Sequence, residues 1–229
     1  MWGKIDVDVS EIGVVIPAYN AGSTIHGVVK DLCSVGFIKD RIFIVNDGSN
    51  DNTALILRSG GVQSVSHPHN RGKGSALKTG FEYARGRSLK GVVTIDADGQ
   101  HRAEDILMLL KYKNDFDMIL GTRFDVVTMP YLRRLVNRTT SLVISVLSGA
   151  YVPDVQCGLR YIGMQVLDRI NLCTNRYQTE SELVYKAFRY NFRIGFVPVS
   201  TVYDTEKSHI HPVFDTIRFI VMAVGFLWR

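Results

Sequence analysis

Asp96 and Asp98 follow an apolar run, Val92-Val93-Thr94-Ile95, and side chains two apart in an extended chain project to the same side. Two carboxylates aimed at one point repel unless a proton or a hard cation sits between them. A divalent magnesium or manganese ion answers that need, because it takes oxygen ligands and leaves positions for phosphate oxygens and water. Gln100, two residues further on, could add a carbonyl oxygen, so the candidate metal ligands are Asp96, Asp98 and Gln100. Read alone, Asp-Ala-Asp-Gly is equally good turn sequence.

Other polar residues also follow apolar runs. Asp47 closes Phe43-Ile44-Val45-Asn46 and could meet an imide, an amino edge or a ribose hydroxyl, although Asp47-Gly48 also makes a plain turn. Pro17-Ala18-Tyr19-Asn20 offers an aromatic ring and backbone groups against which a base could lie. Asn70-Arg71-Gly72-Lys73-Gly74 precedes a helical segment, where free N–H groups, the helix dipole and Lys73 favour an anion. It is not a Walker loop, since Gly74 stands where Ser or Thr is needed, and the dinucleotide pattern fails because Leu77 replaces its third glycine.

Arg123 could hold a diphosphate bidentately, and Arg133 and Arg134 a second anion. A solvated surface is the ordinary alternative for all three. Glu180 and Glu182 open a helical segment, where the dipole favours carboxylates with or without chemistry. Either could act as a general base if the site lies close. Cys157 reads as a small packed side chain rather than a nucleophile, and the six histidines show no metal-ligand spacing.

The elements that must position these groups alternate. Short β-branched runs at 12–17, 41–46, 62–66, 92–96 and 118–121 are separated by helical segments at 24–35, 51–58, 75–84 and 103–111. That rhythm predicts an α/β fold, a mostly parallel sheet with helices on both faces, whose ligands sit at the carboxyl ends of the strands. The polar clusters fall there. Beyond residue 122 the pattern changes: an amphipathic helix at 131–149, a strand at 158–162, a short helix near 165–170, a helix at about 179–190 and a strand at 194–198. In the first of these, Leu132, Leu135, Val136, Leu142, Val143, Val146 and Leu147 form the apolar side, and Arg133, Arg134, Asn137 and Arg138 the other. One domain, 1–229, is expected, with a nucleotide half to about 122 and an acceptor half after it.

A chain of 229 residues at 46% apolar buries a sizeable core, which excludes a disordered tail or a stapled mini-protein. Its net charge of +5 suits an anionic ligand or membrane surface without demanding nucleic acid. Three cysteines without CxxC spacing favour a reducing compartment, and the charged start at 1–11 is no ordinary signal peptide. No run reaches the length of a membrane span. The apolar stretch 217–228 is long enough for a buried or interfacial helix.

In order, Val15-Ile16-Pro17-Ala18-Tyr19-Asn20, Val45-Asn46-Asp47-Gly48-Ser49, Asn70-Arg71-Gly72-Lys73-Gly74, Asp96-Ala97-Asp98-Gly99-Gln100-His101, Gly121-Thr122-Arg123-Phe124 and Asp154-Val155-Gln156-Cys157-Gly158 span residues 12–160. Together they resemble the family 2 glycosyltransferases of GT-A fold, and among them the dolichyl- or polyprenyl-phosphate sugar synthases. The resemblance implies a donor site built from Pro17, Ala18, Tyr19, Asn20, Asp47, Lys73, Asp96, Ala97 and Asp98, with the metal on Asp98 and Gln100 and Asp96 towards the ribose and metal. It places Arg123 near the phosphates and makes Arg133, Arg134, Lys207 and Ser208 the acceptor-phosphate region. Where the family often has Ser-Lys, this chain has Lys207-Ser208-His209, and it lacks the paired hydrophobic tail helices of many relatives.

The expected reaction moves a hexose from a UDP- or GDP-sugar to a polyprenyl phosphate, with inversion, at the cytoplasmic face of a membrane. Candidate catalytic residues are Asp98, Arg123 and Glu182. The departing diphosphate gathers negative charge in an oxocarbenium-like transition state, which magnesium or manganese and Arg123 would stabilise. The stretches 142–147 and 217–228 could receive the lipid or pack in the core. Three rivals stand beside this reading: a hydroxyl-acceptor glycosyltransferase dependent on Glu180 or Glu182, a sugar-phosphate nucleotidyltransferase, and a non-catalytic sugar-nucleotide-binding module.

Overall fold

A strand that is apolar on both sides must be covered on both sides. β1 (Ile12–Ala18) is such a strand, buried at every position but the half-buried Pro17, and β2 (Ile42–Asn46) and β4 (Gly91–Thr94) are buried throughout. The computed structural model describes residues 7–123, 131–201 and 212–227. It gathers these strands with β3 (Gln63–Ser66), β5 (Met118–Arg123), β6 (Arg160–Gly163) and β7 (Ile194–Val199) into one sheet, ordered β3-β2-β1-β4-β6-β5-β7. Pairing is parallel except at β6, which runs antiparallel to both β4 and β5. The expected mostly parallel sheet, mixed in its later half, is what forms.

Helices cover both faces. Ile25, Val28 and Leu32 of α1 (Ile25–Ser34) and Ile106 and Leu109 of α4 (Ala103–Leu110) share a layer with Val14 and Ile16. Between them in chain order lie α2 (Thr53–Ser59) and α3 (Lys73–Arg85). Leu77, Phe81 and Ala84 of α3 form the opposite layer with Val15, Val92 and Leu120. Val14, Val15 and Ile16 alternate between the layers with the period of an extended chain, and each such side chain contributes about 1.5–3 kcal/mol when fully buried.

The later helices are α5 (Tyr131–Ser148), α6 (Met164–Arg169), α7 (Gln178–Arg189) and α8 (Pro212–Leu227), and α5 packs on α7 and α8. The two-sided pattern read for 131–149 is corrected here. Asn137, Thr140, Ser141 and Ile144 are buried, whereas Leu135, Leu142 and Val146 are 49%, 65% and 74% exposed. Hydroxyl chemistry explains the inversion, because the inner face fastens the chain that leads into β6. Ser141 Oγ accepts the Val155 amide at 3.0 Å, and Ser145 Oγ accepts that of Val152 at 2.9 Å. On α8, Phe219, Met222 and Ala223 are buried while Ile220, Val221 and Val224 are exposed. No described helix is long and apolar enough to cross a membrane.

Candidate active site

The carboxyl ends of β1 and β2 are laced together by short polar side chains. The Asn20 amide donates to Ser49 Oγ at 2.9 Å, Asn50 donates to Asn20 Oδ1 at 2.9 Å, and the Ala21 amide donates to Thr53 Oγ1 at 2.9 Å. Asn20 takes φ of 52°, a region that asparagine tolerates better than most residues. This leaves Pro17 and Tyr19 half-buried and Asn20 exposed at the strand end, while Ala18 is buried. Beside them a polar cavity of about 390 Å³ opens over β2 and β3, lined by residues that include Asn46, Ser49, Asn50, Ser66 and His69.

Asp47 does not face that cavity as a free carboxylate. It is 2% exposed. Its Oδ1 accepts the Arg71 amide at 3.0 Å and meets His67 Nδ1 at 2.6 Å, and Oδ2 accepts the Gly72 amide at 2.7 Å. In this arrangement Asp47, expected to meet a base or ribose, also builds the loop that launches α3. Gly72 is required at that point, with φ of +99° and with Asn175 O only 2.6 Å from where a Cβ would stand.

Lys73, the first residue of α3, turns inward. Its Nζ lies 2.7 Å from Asp96 Oδ1 and 3.2 Å from Glu180 Oε1. Burial works against the ammonium, but Asp96 and Glu180 hold its pKa above the ordinary lysine value. The expected phosphate ligand is thus committed to two carboxylates. Burial alone would raise Asp96, yet Lys73 outweighs it and holds that carboxyl below the usual range. Glu180 continues the chain to Arg160, whose Nη2 is 3.3 Å from Glu180 Oε1.

Asp98 is different. Among the described residues it makes no salt bridge, and burial, reinforced by Asp96, pushes its carboxyl up. Its Oδ1 accepts the Gln100 backbone amide at 3.0 Å, which curls the turn, while the Ala97 carbonyl accepts from Thr24 Oγ1 at 2.6 Å. Next to this turn, His101 Nδ1 is buried without a hydrogen-bond partner. A half-buried carboxylate without a salt bridge among the described residues, with an amide side chain two residues on, fits a hard divalent cation. Among the described residues no three His, Cys, Asp or Glu side chains gather as a metal cluster, so phosphate oxygens and water would complete the shell.

On the far side, Arg123 Nε and Nη2 donate to the two oxygens of Asp154 at 2.7 and 2.8 Å, with both side chains 6% exposed. Arg123, expected to approach a diphosphate, is thus held in place by Asp154. Glu182, the expected catalytic carboxylate, has protein donors on both oxygens. Its Oε1 accepts from the Cys173 amide at 2.9 Å and Lys186 Nζ at 2.6 Å, and its Oε2 from the Thr174 amide at 2.9 Å and Thr174 Oγ1 at 2.6 Å. It is a clasp for the loop ahead of α7, and Glu180 is the helix-start carboxylate in the site. Cys157 Sγ comes within 4.0 Å of His101 Nε2, a neighbour far away in sequence. Burial pushes its thiol up to about 12, which suits a packed side chain. Arg134 is half-buried on α5, whereas the Arg133 side chain, Lys207 and Ser208 lie outside the described residues.

With this geometry in hand, residues 13–195 match the family model for Glycosyl transferase family 2. The chain belongs to glycosyl transferase family 2. One relative, the UDP-N-acetylglucosamine–dolichyl-phosphate N-acetylglucosaminyltransferase of Methanococcus voltae, is 32% identical over 86% of this chain and 87% of its own. Another, the dolichyl-phosphate beta-glucosyltransferase of Dictyostelium discoideum, is 26% identical over 99% of this chain and 76% of its own. Among solved structures, glucosyl-3-phosphoglycerate synthase from Mycobacterium tuberculosis in complex with Mn2+ and UDP-glucose superimposes with a TM-score of 0.73 at 18% identity, covering 93% of this chain and 79% of that one. At that identity the fold is what they share.

For this family 2 glycosyltransferase, sequence reading missed Arg160, His67 and the pairing role of Asp154. Arg160 stands in an apolar run and signals only by being a charged residue where a strand is expected. His67 spans Asp47 and Thr79, its Nε2 lying 3.0 Å from Thr79 Oγ1, and nothing in its neighbourhood along the chain marks it.

Proposed function

We propose that this family 2 glycosyltransferase transfers a hexose from a nucleoside diphosphate sugar, UDP- or GDP-linked, to the phosphate of a polyprenyl or dolichyl lipid, with inversion, at the cytoplasmic face of a membrane. The observation that carries it is the engagement of both carboxylates at the start of α7. A hydroxyl acceptor needs a base to take its proton as it attacks. Glu180 is ion-paired to Lys73 and Arg160, and both oxygens of Glu182 are filled by protein donors. A phosphate acceptor is already ionised near neutral pH and needs no such base. The activities named for the two relatives use dolichyl phosphate and support the same acceptor class.

A phosphate oxygen of the acceptor forms its bond to the anomeric carbon as the bond to the nucleoside diphosphate breaks, and the electron pair leaves with the diphosphate. One displacement inverts the centre through an oxocarbenium-like transition state. The nucleoside lies towards the cavity beside the 47–50 turn, with Pro17, Ala18, Tyr19 and Asn20 as its neighbours. Magnesium or manganese held by Asp98 and Gln100, with Asp96 beside them, would supply Lewis-acid stabilisation of the leaving diphosphate. Arg133 and Arg134, with Lys207 and Ser208, receive the acceptor phosphate. Leu135, Leu142 and Val146 on α5, with Ile220, Val221 and Val224 on α8, expose apolar surface suited to a lipid interface.

Release of nucleoside diphosphate from a panel of UDP- and GDP-hexoses, with and without polyprenyl phosphate in anionic vesicles, tests this reading. Turnover that depends on the lipid phosphate is expected. Equal turnover with a water-soluble sugar hydroxyl, or donor binding without turnover, would replace it with one of the rivals.

A further inference from the structure

We propose that Arg160 is a positioning residue for the divalent cation, acting through Glu180 and Lys73 on the charge that Asp96 and Asp98 present. The inference rests on the metal-assisted part of the reading above and not on the identity of the acceptor. Arg160 is 2% exposed. Its Nε donates to the Cys157 carbonyl at 2.8 Å, Nη2 to that of Val155 at 2.8 Å and Nη1 to that of Glu180 at 3.2 Å. The backbone beneath is equally fixed, because β6 places Arg160 between Thr94 of β4 and Leu120 of β5.

From this anchor the charges alternate. Arg160 meets Glu180 Oε1 at 3.3 Å, the same oxygen lies 3.2 Å from Lys73 Nζ, and Nζ lies 2.7 Å from Asp96 Oδ1. Asp96 is confined on its other side by Gly158, where a Cβ would come within 2.3 Å of Oδ2. Two cations and two anions sum to zero, so Asp98 supplies the uncompensated charge of the cluster. In a poorly solvated site, removing one member changes the field at Asp98 instead of being screened away. Arg160→Met leaves Glu180 to draw on Lys73 alone, loosens the hold of Lys73 on Asp96 and adds net negative charge. Glu180→Gln gives Lys73 wholly to Asp96 and adds net positive charge. The two substitutions act with opposite sign, and their combination restores neutrality.

The test is a titration with Mn2+ alone, free ion being read from its electron paramagnetic resonance signal, on wild type, Arg160→Met, Glu180→Gln and the double variant. Arg160→Met is expected to bind about fivefold more tightly and Glu180→Gln about fivefold more weakly, with the double variant within about twofold of wild type. Weakening in both single variants that deepens in the double, unchanged affinity throughout, or no Mn2+ binding by wild type overturns the proposal. Should Arg160→Met fail to fold, Glu180→Gln decides alone, and unchanged or tighter Mn2+ binding by it overturns the proposal. No acceptor enters the experiment, so a failure of the lipid-phosphate reading leaves its outcome standing.

Discussion

The ammonium of Lys73 lies 2.7 Å from Oδ1 of Asp96, and that contact joins the start of α3 to the turn after β4. Asp96 therefore has a resident cation, and the asymmetry between it and Asp98 follows. Removing Lys73 leaves the half-buried Asp96 without its cation and the buried Glu180 to Arg160 alone. Lys73→Met is expected to lower stability by about 3–5 kcal/mol, measured by urea denaturation, with Lys73→Arg recovering part of the loss.

Asp98 shows the opposite balance. Burial and Asp96 push its carboxyl up, so its charged form is disfavoured in the folded state. Stability linked to Asp98 is gained as pH falls through its raised folded value, and is lacking above it. Asp98→Asn is expected to raise the neutral-pH melting temperature while reducing transfer by about a hundredfold or more. A variant that melts lower and stays active would contradict this assignment.

Glu182 belongs to stability. Burial would raise its carboxyl, but hydrogen bonds from Lys186, Thr174 and the Cys173 amide hold it below the usual range. Its stabilisation is complete above the unfolded value of about 4.3 and is lost as pH falls through the lower folded value. Glu182→Gln is expected to cost about 1–3 kcal/mol at neutral pH, with the gap to wild type closing in acid. Transfer per folded molecule stays within about threefold of wild type, which a general base would not permit.

Gly158 leaves no room beside Asp96, since a Cβ would stand 2.3 Å from Oδ2. Gly158→Ala is expected to displace that carboxylate and disturb its contact with Lys73. We expect transfer to fall by about tenfold or more at a stability cost of about 1–3 kcal/mol, separated by kinetics and a thermal melt on the same preparation.

Leu142 and Val146 are 65% and 74% exposed on α5. Replacing both with Glu removes apolar contact area without touching the core. Flotation with anionic vesicles is expected to show loss of binding, while stability stays within about 0.5 kcal/mol per substitution. Binding that survives the double change would move the lipid contact elsewhere.

Much of the architecture was legible in residue order. Runs such as Gly13-Val14-Val15-Ile16 and Phe43-Ile44-Val45 are short and rich in β-branched residues, as strands covered on both sides are, and the polar groups that follow them fall at one sheet edge by topology. The turn that Asp98 forms with the Gln100 amide was readable for the same reason, since those two residues are neighbours along the chain. The pairings that residue order did not show depend on partners distant in sequence. Asp47 is satisfied by amides 24 and 25 residues away, and Arg123 is held by Asp154 across 31 residues. For α5, periodicity marked the apolar stripe but not which side α7 and α8 would take. Local sequence thus determined which groups exist and which strand end carries each of them. Only tertiary packing decided which charges neutralise one another, because a buried carboxylate answers to the nearest cation in space and that distance is set by how separate elements meet.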